Sequence, residues 1–216
     1  GMASLLPNNE VEIKSTDDTV YVDGKSSKGK DARTKILQSV DVSSIALNDE
    51  EFLALNRNDG RELAKLNNII YIYHNQIDAM GDDAITEEKV FGAVESSFNT
   101  ITKIVKQIVN LNGTNIFITA DHGFIYTNKL TEDSEFCKLD TTFMETSKVN
   151  RRFVIGKNLE ENSCTEKFTS DELGINGDND FLITKSINKI RKQGGGNRFV
   201  HGGATLQELV IPLLEI

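Results

Sequence analysis

The chain contains three histidines, and each one follows an apolar, strand-like run. His74 and His122 also have a nearby carboxylate, Asp78 and Asp121 respectively, while His201 precedes a pair of glycines. Imidazole and carboxylate groups are ligands that suit zinc or another divalent transition ion. In open α/β sheets, ligands bind just beyond the carboxyl ends of the strands. The sequence therefore predicts a metal site built from these five residues at one edge of a sheet.

The segment Asp121-His122-Gly123 is the sharpest of these motifs. It places two different metal donors on one tight turn after a strand, and glycine permits close approach of another backbone. Taken alone, the dipeptide favours an aspartate that caps a turn beside a structural histidine. The similar strand-end context of His74 and His201 reverses that preference and favours metal ligation.

His74 and Asp78 are four positions apart, so on one helical turn their side chains would point to one side. A helix cap beside a surface carboxylate explains the same spacing equally well, and both interpretations stay open. Asp82 and Asp83 follow closely and are predicted to be solvated charges or caps.

A basic stretch stands out in a chain with a net charge of -9, because no acidic residue occurs between Phe181 and Gln207. Such a stretch could neutralise a phosphoryl group or another anionic substrate beside a metal. The alternative is a flexible, solvated loop, which suits most of its side chains individually. The basic residues are Lys185, Lys189, Arg191, Lys192 and Arg198.

The order of elements indicates an α/β fold. The unbroken apolar run 69–73 is typical of a buried parallel strand. A helix is predicted over about 86–110, with one apolar stripe at three- and four-residue steps, and a further strand over 115–120. The stripe comprises Val90, Val94, Phe98, Ile101, Val105 and Ile108. Strand, helix and strand would form a right-handed βαβ unit that brings His74 and Asp121 to the same edge of the sheet.

The chain shows no internal repeat and no strong domain boundary. We expect one domain over residues 1–216, with loop insertions near 25–30, 128–147 and 158–166. With 216 residues, the chain is long enough to bury a sizeable core.

Composition excludes several classes of function. The net charge of -9 argues against broad binding to nucleic acids or acidic membranes, although a local basic patch remains compatible with it. No apolar run approaches the roughly 20 residues that span a bilayer, and no secretory leader is evident. Cys137 and Cys164 lack CxxC spacing, which favours a reducing, cytoplasmic compartment. No serine lies in a nucleophile-elbow pattern, and neither cysteine has a recognisable activating neighbour.

Three segments in this order closely resemble the PglZ domain family, which belongs to the alkaline phosphatase superfamily and is linked to phage-growth-limitation and BREX antiviral systems. The segments cover residues 72–82, 118–124 and 198–208, and the residues at 22–24 and 151–153 also look like PglZ positions. The resemblance extends through essentially the whole chain.

The resemblance implies an alkaline-phosphatase-like sheet with helices on both faces and a two-metal core that hydrolyses phosphoryl or sulfuryl esters. Asp121, His122 and His201 match metal ligands of the superfamily by position, with zinc or manganese as the expected ions. His74 and Asp78 match in location, but their order departs from the common arrangement of aspartate before histidine. The first metal-binding aspartate and the Ser/Thr nucleophile are expected upstream of Gly1. The chain thus resembles an N-terminally truncated, C-terminal part of a catalytic domain, inactive by itself.

The leading interpretation is part of a metal-dependent phosphoesterase or phosphodiesterase of antiphage defence, with a phosphate ester or diester as substrate. The resemblance also implies other phage-defence proteins as partners, including a DNA methyltransferase. The main alternative is a non-catalytic interaction scaffold within a defence complex, since fold does not fix function. A metal-dependent nuclease is a third alternative, and only the basic residues between 185 and 198 favour it.

Overall fold

A computed structural model describes residues 1–14, 19–82, 85–129, 132–139, 145–192 and 196–216. Its helices are α1 Lys30–Leu37, α2 Asp49–Leu53, α3 Arg57–Leu66, α4 Gln76–Gly81, α5 Val90–Asn110 and α6 Leu206–Leu209. Its strands are β1 Val11–Ile13, β2 Val20–Val22, β3 Lys25–Ser26, β4 Ser44–Asn48, β5 Ile69–Tyr73, β6 Phe117–Thr119, β7 Ile125–Tyr126, β8 Phe136–Cys137, β9 Glu145–Val149, β10 Phe153–Lys157, β11 Thr165–Thr169, β12 Asp180–Thr184, β13 Lys189–Ile190, β14 Phe199–Val200 and β15 Leu213–Glu215. Helices and strands alternate through the first 120 residues, which confirms the α/β class.

Strands β4 and β5 form a parallel pair in which Ser44 lies opposite Ile69. The helices α2 and α3 make the connection between them, as parallel strands require. Helix α3 begins where the Asn56 side chain accepts hydrogen bonds from the backbone N–H groups of residues 58 and 59. The core beneath this unit is apolar and comprises Ala3, Leu6, Val22, Ile36, Leu37 and Ala46. The packing fixes the carboxyl end of β5, from which the first candidate site residues emerge.

Helix α5 follows a 3₁₀ turn at Glu87–Lys89, so the predicted helix is confirmed over nearly its full length. Its buried face differs from the predicted stripe, because Phe98 is 66% exposed while Ala93 and Ser97 are buried. Small side chains at 93 and 97 suit close packing of α5 against α4, the element that follows His74. The hydrophobic stripe could not reveal this face, since the contact depends on small residues and on a serine hydroxyl.

The predicted βαβ unit, in which β5 and the strand near residue 118 would belong to one parallel sheet, is not found in the part of the chain described here. Strand β6 pairs antiparallel with the last strand, β15, with Ile118 opposite Leu214, and no ladder joins β6 to β5. The pairing partner of β6 lies far along the sequence. The local sequence pattern around β6 carries no information about which distant strand it pairs with. Several apolar side chains of this pair are exposed, including Phe117, Leu213, Leu214 and the following Ile216.

The C-terminal half is built on a four-stranded antiparallel sheet in the order β11-β12-β10-β9. Its buried side chains Val154 and Leu182 pack with Cys137, Leu159 and Ile190. The same half of the chain also forms two short pairs of strands, β8 with β13 and β7 with β14. This half supplies the segment that leads into His201.

The two cysteines lie together in this core, contrary to the expectation from their spacing. The structure joins Cys137 and Cys164 as a disulfide across a sequence separation of 27 residues. Motif spacing could not predict the pairing, because the two residues meet only through the packing of β8 against the segment before β11. No helix in the described ranges has the length and apolar character needed to cross a membrane.

A buried ion pair connects this sheet to the segment around His201. The Arg152 guanidinium is fully buried and donates through Nε and Nη2 to the Glu208 carboxylate, at 2.9 Å in each case. Glu208 also accepts hydrogen bonds from the backbone N–H groups of Gly203 and Thr205. Its own carbonyl accepts the N–H of Gly123. One carboxylate-bearing residue thus joins the loop after His201 to the turn after His122.

We expect Glu208→Gln to lower the free energy of unfolding by about 3–5 kcal/mol at pH 7, because it leaves the Arg152 charge buried without a counter-charge. Burial would raise the pKa of Glu208, but hydrogen bonds from Arg152 and Thr205 outweigh it and hold that pKa below the usual 4.5. The ion pair therefore stabilises the wild type above about pH 4.5. This stabilisation is lost as the pH falls through the lower, folded-state pKa.

Urea unfolding at pH 7 and at several acidic pH values would measure both effects. The matched control is Asp178→Asn, which removes an exposed carboxylate that pairs with Lys157 and should change stability little. Equal stability of Glu208→Gln and Asp178→Asn at pH 7 would contradict the role given to the buried pair.

Candidate functional site

Asp78 is placed by the short helix that follows β5. Strand β5 ends at Tyr73, and α4 begins three residues later, at Gln76, with Asp78 in its first turn. Asp82 lies directly after α4, four positions beyond Asp78, and so on the same helical side. The end of β5 thereby presents two carboxylates towards neighbouring loops.

His122 is placed by the tight turn after β6. A side chain at Gly123 would overlap the backbone carbonyl of Gln207, and the Gly123 N–H donates to the carbonyl of Glu208 at 2.9 Å. The predicted need for close backbone approach at Gly123 is therefore confirmed. The contact presses the Asp121-His122 turn against the start of α6.

His201 follows β14, and its ring stacks on that of His122 with centroids 4.2 Å apart and an interplanar angle of 2°. Gly202 adopts a φ of +92°, a conformation that favours glycine and lets the chain turn directly after the histidine. The imidazoles of two distant segments thus lie side by side, both half-buried.

Asp78, His122 and His201 form one cluster in which a donor atom from each lies within 4.8 Å of the others. The Nε2 atom of His122 is 3.6 Å from the nearer carboxylate oxygen of Asp78. Two imidazoles and one carboxylate match the three-ligand sets of catalytic zinc, whose donors lie at about 2.0–2.2 Å from the ion and hence at most about 4.4 Å apart. The residues therefore fit a divalent transition ion after small side-chain adjustments.

Asp121 lies at the edge of this cluster, with its carboxylate 3.8 Å from Nε2 of His122. Its charge raises the pKa values of Asp78, Tyr73 and His201, although burial is the largest influence on each of the three. The end of β5 and the turn after β6 are therefore electrostatic neighbours. This agrees with the expectation that they share one edge of the fold.

Asp82 is a member of the site that the sequence did not predict. As expected of a cap or a solvated charge, it is the C-terminal cap of α4 and its side chain is 63% exposed, but its carboxylate also lies 3.4 Å from Nε2 of His201. This hydrogen bond is the main reason that the pKa of Asp82 is lowered. The spacing of four residues from Asp78 was the available signal, while the neighbouring Asp83 lies outside the described residues.

Protonation within the cluster is shaped by burial and by these carboxylates. Burial is the main cause of the raised pKa of Asp78, opposed by the two histidines. Burial lowers the pKa of His201, but the hydrogen bond to Asp82 and the charges of Asp78 and Asp121 raise it above its usual value overall. The neighbouring carboxylates thus favour the positively charged form of His201.

His74 is held by partners other than this cluster. Its Nδ1 atom lies 2.6 Å from the carboxylate of Asp49, and its Nε2 atom lies 2.8 Å from the hydroxyl of Ser97. Because a carboxylate only accepts, Nδ1 donates, and in the neutral ring Nε2 accepts from Ser97. Both ring nitrogens are therefore engaged, and the predicted ligation by His74 would require Nε2 to exchange Ser97 for the ion.

Most of the basic residues between 185 and 198 contact partners on other elements. Each of three cations has an acidic partner, and Lys189 is buried and donates to the hydroxyl of Thr127 and the carbonyl of Asn197. The ion pairs are Lys185–Glu166, Arg191–Asp133 and Arg198–Glu88. Much of the local positive charge is therefore neutralised within the fold.

Two cavities of the described residues differ in size and in lining. The larger, of about 440 Å³, is lined by Leu55, Asn56, Arg57, Gln107, Asn110 and Leu111 and contains neither histidine nor carboxylate. The smaller is lined in part by Asp82 and His201 and is therefore continuous with the cluster. The smaller cavity is the better candidate for a functional site because a histidine and a carboxylate line it, although it is the smaller of the two.

Comparison with known proteins places the chain in a family. All of residues 1–216 match the model of the BREX system PglZ alkaline phosphatase-like domain. The chain is 37% identical over 219 residues to the alkaline phosphatase-like protein BrxZ of Escherichia coli O9:H4 (strain HS). It is 36% identical over 217 residues to the alkaline phosphatase-like protein PglZ of Bacillus cereus (strain H3081.97). Each alignment covers 100% of this chain and 25% of the relative. The chain belongs to the PglZ family of alkaline phosphatase-like α/β domains.

Proposed function

We propose that this chain forms part of a metal-dependent hydrolase of phosphate esters or diesters that acts in BREX-type antiphage defence. The observation that supports it most is the convergence of Asp78, His122 and His201 within 4.8 Å of one another. The family supports the defence role, and the relatives' printed names describe them as alkaline phosphatase-like. The chain spans a quarter of the length of those relatives, so the activity belongs to a larger protein.

Asp78, His122 and His201 would hold one ion, zinc or manganese, and Asp121 would extend the donor set towards a second. A bound divalent ion supplies Lewis-acid polarisation of a phosphoryl oxygen. Asp82 would orient the His201 ring through its hydrogen bond, as carboxylates commonly do for metal-binding histidines. The stacked rings and the Gly123 contact hold the donors on separate loops in fixed positions.

We propose that His74 supports the metal site by positioning another residue and does not itself bind the ion. Its bonds to Asp49 and Ser97 tie the end of β5 to α2 and α5, directly before the helix that presents Asp78. A second bond, from Gln76 to the hydroxyl of Ser96 at 3.2 Å, anchors the start of α4 to the same helix. His74 would therefore act on the metal through the placement of Asp78.

We also propose a domain organisation and partners for this chain. Insertions near 25–30, 128–147 and 158–166 would be additions to a single domain over 1–216. Other phage-defence proteins, including a DNA methyltransferase, would be its partners. The scaffold hypothesis stands as the rival outcome of the experiments below.

We expect His122→Ala and Asp78→Asn to weaken zinc or manganese binding by more than the roughly 10–100-fold that loss of a supporting partner costs. Each substitution removes a donor atom from the cluster. Calorimetric titration with each metal and elemental analysis of the purified variants would measure the loss. Asp171→Asn, an exposed carboxylate outside the cluster, is the matched control. Wild-type affinity in folded His122→Ala would contradict the metal site.

We expect the full-length protein to hydrolyse a chromogenic phosphomonoester or phosphodiester, and His122→Ala to reduce turnover by several orders of magnitude with little change in melting temperature. The reason is that His122 lies on a turn and is not part of the apolar core clusters formed by the described residues. The assay needs added Zn²⁺ or Mn²⁺ and thermal melts of each variant. Metal binding without any hydrolysis in the full-length protein would favour the scaffold hypothesis.

We expect Ser97→Ala and His74→Gln to weaken metal binding by about 10–100-fold, which is the cost of a lost supporting partner. A ligand role predicts a different pattern, since Ser97→Ala would free Nε2 of His74 and leave affinity unchanged or tighter. Titration of both variants beside His122→Ala separates the two roles. A loss in His74→Gln as large as that in His122→Ala, with none in Ser97→Ala, would establish His74 as a ligand.

A further inference from the structure

A small cavity adjoins the histidine cluster on the side of the C-terminal sheet. Its volume is about 20 Å³, room for one water-sized group such as a single phosphoryl oxygen. His201 and Asp82 line it together with one cation, Arg151. The remaining lining residues are Asn150, Gly196, Phe199 and Val200. A ligand held at the cluster could therefore extend an oxygen atom into a space that Arg151 lines.

Arg151 is held in place by its neighbours. Its Nε atom donates to the side-chain oxygen of Asn197 at 2.9 Å, and its carbonyl accepts the N–H of Ile190 at 2.7 Å. The next residue, Arg152, is fixed by the buried pair with Glu208. Such a side chain loses little conformational entropy on binding a ligand, because its backbone and one donor are already ordered.

The charges around Arg151 admit two roles. Burial lowers the pKa of Arg151 while Glu87 and Asp82 act to raise it, and a guanidinium stays cationic in either case. A purely structural role would be to neutralise those two carboxylates. However, Glu87 accepts a hydrogen bond from the backbone of Arg198, and Asp82 accepts from His201 when that ring is protonated. Both carboxylates thus have another hydrogen-bonding partner.

We propose that Arg151 and the cavity it shares with His201 form a binding subsite for an oxyanion, namely a non-bridging oxygen of a phosphoryl group whose remaining atoms lie at the cluster. This inference rests on the proposed function, and it assigns to that site the recognition of a tetrahedral anion. The guanidinium suits this task because its planar set of donors can bind phosphate oxygens in a bidentate manner. The role of Arg151 is thus substrate binding, separate from the metal-binding donors.

The test is calorimetric titration of the full-length protein with inorganic phosphate, with and without Zn²⁺, for wild type, Arg151→Gln and Arg151→Lys. We expect phosphate affinity to fall roughly 10–100-fold in Arg151→Gln, which is the cost of losing a charge-assisted hydrogen bond. Arg151→Lys keeps the charge beside Glu87 and Asp82 but loses the planar donors, so its affinity should be intermediate. Zinc affinity should be unchanged in both variants.

Arg191→Gln and Arg191→Lys are the matched controls, because Arg191 is exposed and pairs with Asp133 away from this cavity. They should bind phosphate as the wild type does. Should Arg151→Gln fail to fold, Arg151→Lys decides the question by itself. Wild-type phosphate affinity in a folded Arg151 variant, or no phosphate binding by the wild type, would overturn the subsite.

The outcomes also separate this inference from the function on which it rests. Zinc binding that depends on His122, together with phosphate binding indifferent to Arg151, would retain the metal site and remove the subsite. Phosphate binding that depends on Arg151 in a protein that holds no zinc would retain the subsite and remove the metal-dependent hydrolase.

Discussion

The buried pair between Arg152 and Glu208 is the interaction on which the C-terminal side of the site depends. Two charges leave water at a cost that their attraction offsets only when every remaining donor and acceptor is satisfied. Here the guanidinium also donates to the carbonyls of Ser186 and Asn188, and the carboxylate accepts from the loop after His201. A side chain at Gly203 would collide with the Arg152 guanidinium, so the loop can pack directly on the ion pair only because this residue is glycine. The position of His201 is thus a consequence of a salt bridge several residues away.

A second, independent network of hydrogen bonds fixes the side of the site that carries Asp78. Asp49, His74 and Ser97 belong to α2, the segment after β5 and α5, and two short hydrogen bonds join them. The bonds hold the start of α4, and with it Asp78, against the long helix. The cluster therefore lies where two separately stabilised parts of the chain meet. Donor side chains from both parts come together only in the folded protein, which would couple the affinity for a metal ion to folding.

The sequence predicted the α/β class, the long helix and the meeting of Asp78, His122 and His201, because strand-end position and residue type are local properties. It could not predict that β6 pairs with β15, since the choice of a distant partner depends on the whole chain. Nor could it distinguish the histidine at 74 from the other two. All three follow an apolar, strand-like run, and only the presence of Asp49 and Ser97 gives His74 a different set of partners. Asp82 is an exposed cap, as expected, but its contact with His201 could not be foreseen, because the two residues are brought together only by the fold.

The charge distribution of the site relates its carboxylates and imidazoles to Arg151. Three carboxylates, Asp78, Asp82 and Asp121, surround two stacked, half-buried imidazoles in a protein of net charge -9. Burial raises the pKa of Asp78, so its charged form is disfavoured unless positive charge lies close by. A divalent cation would remove that penalty at the point where the donors converge. The same carboxylates repel an anionic substrate, and a phosphoryl group could approach only where cations outweigh them. Arg151, at the cavity beside His201, lies where such an approach needs a fixed positive charge.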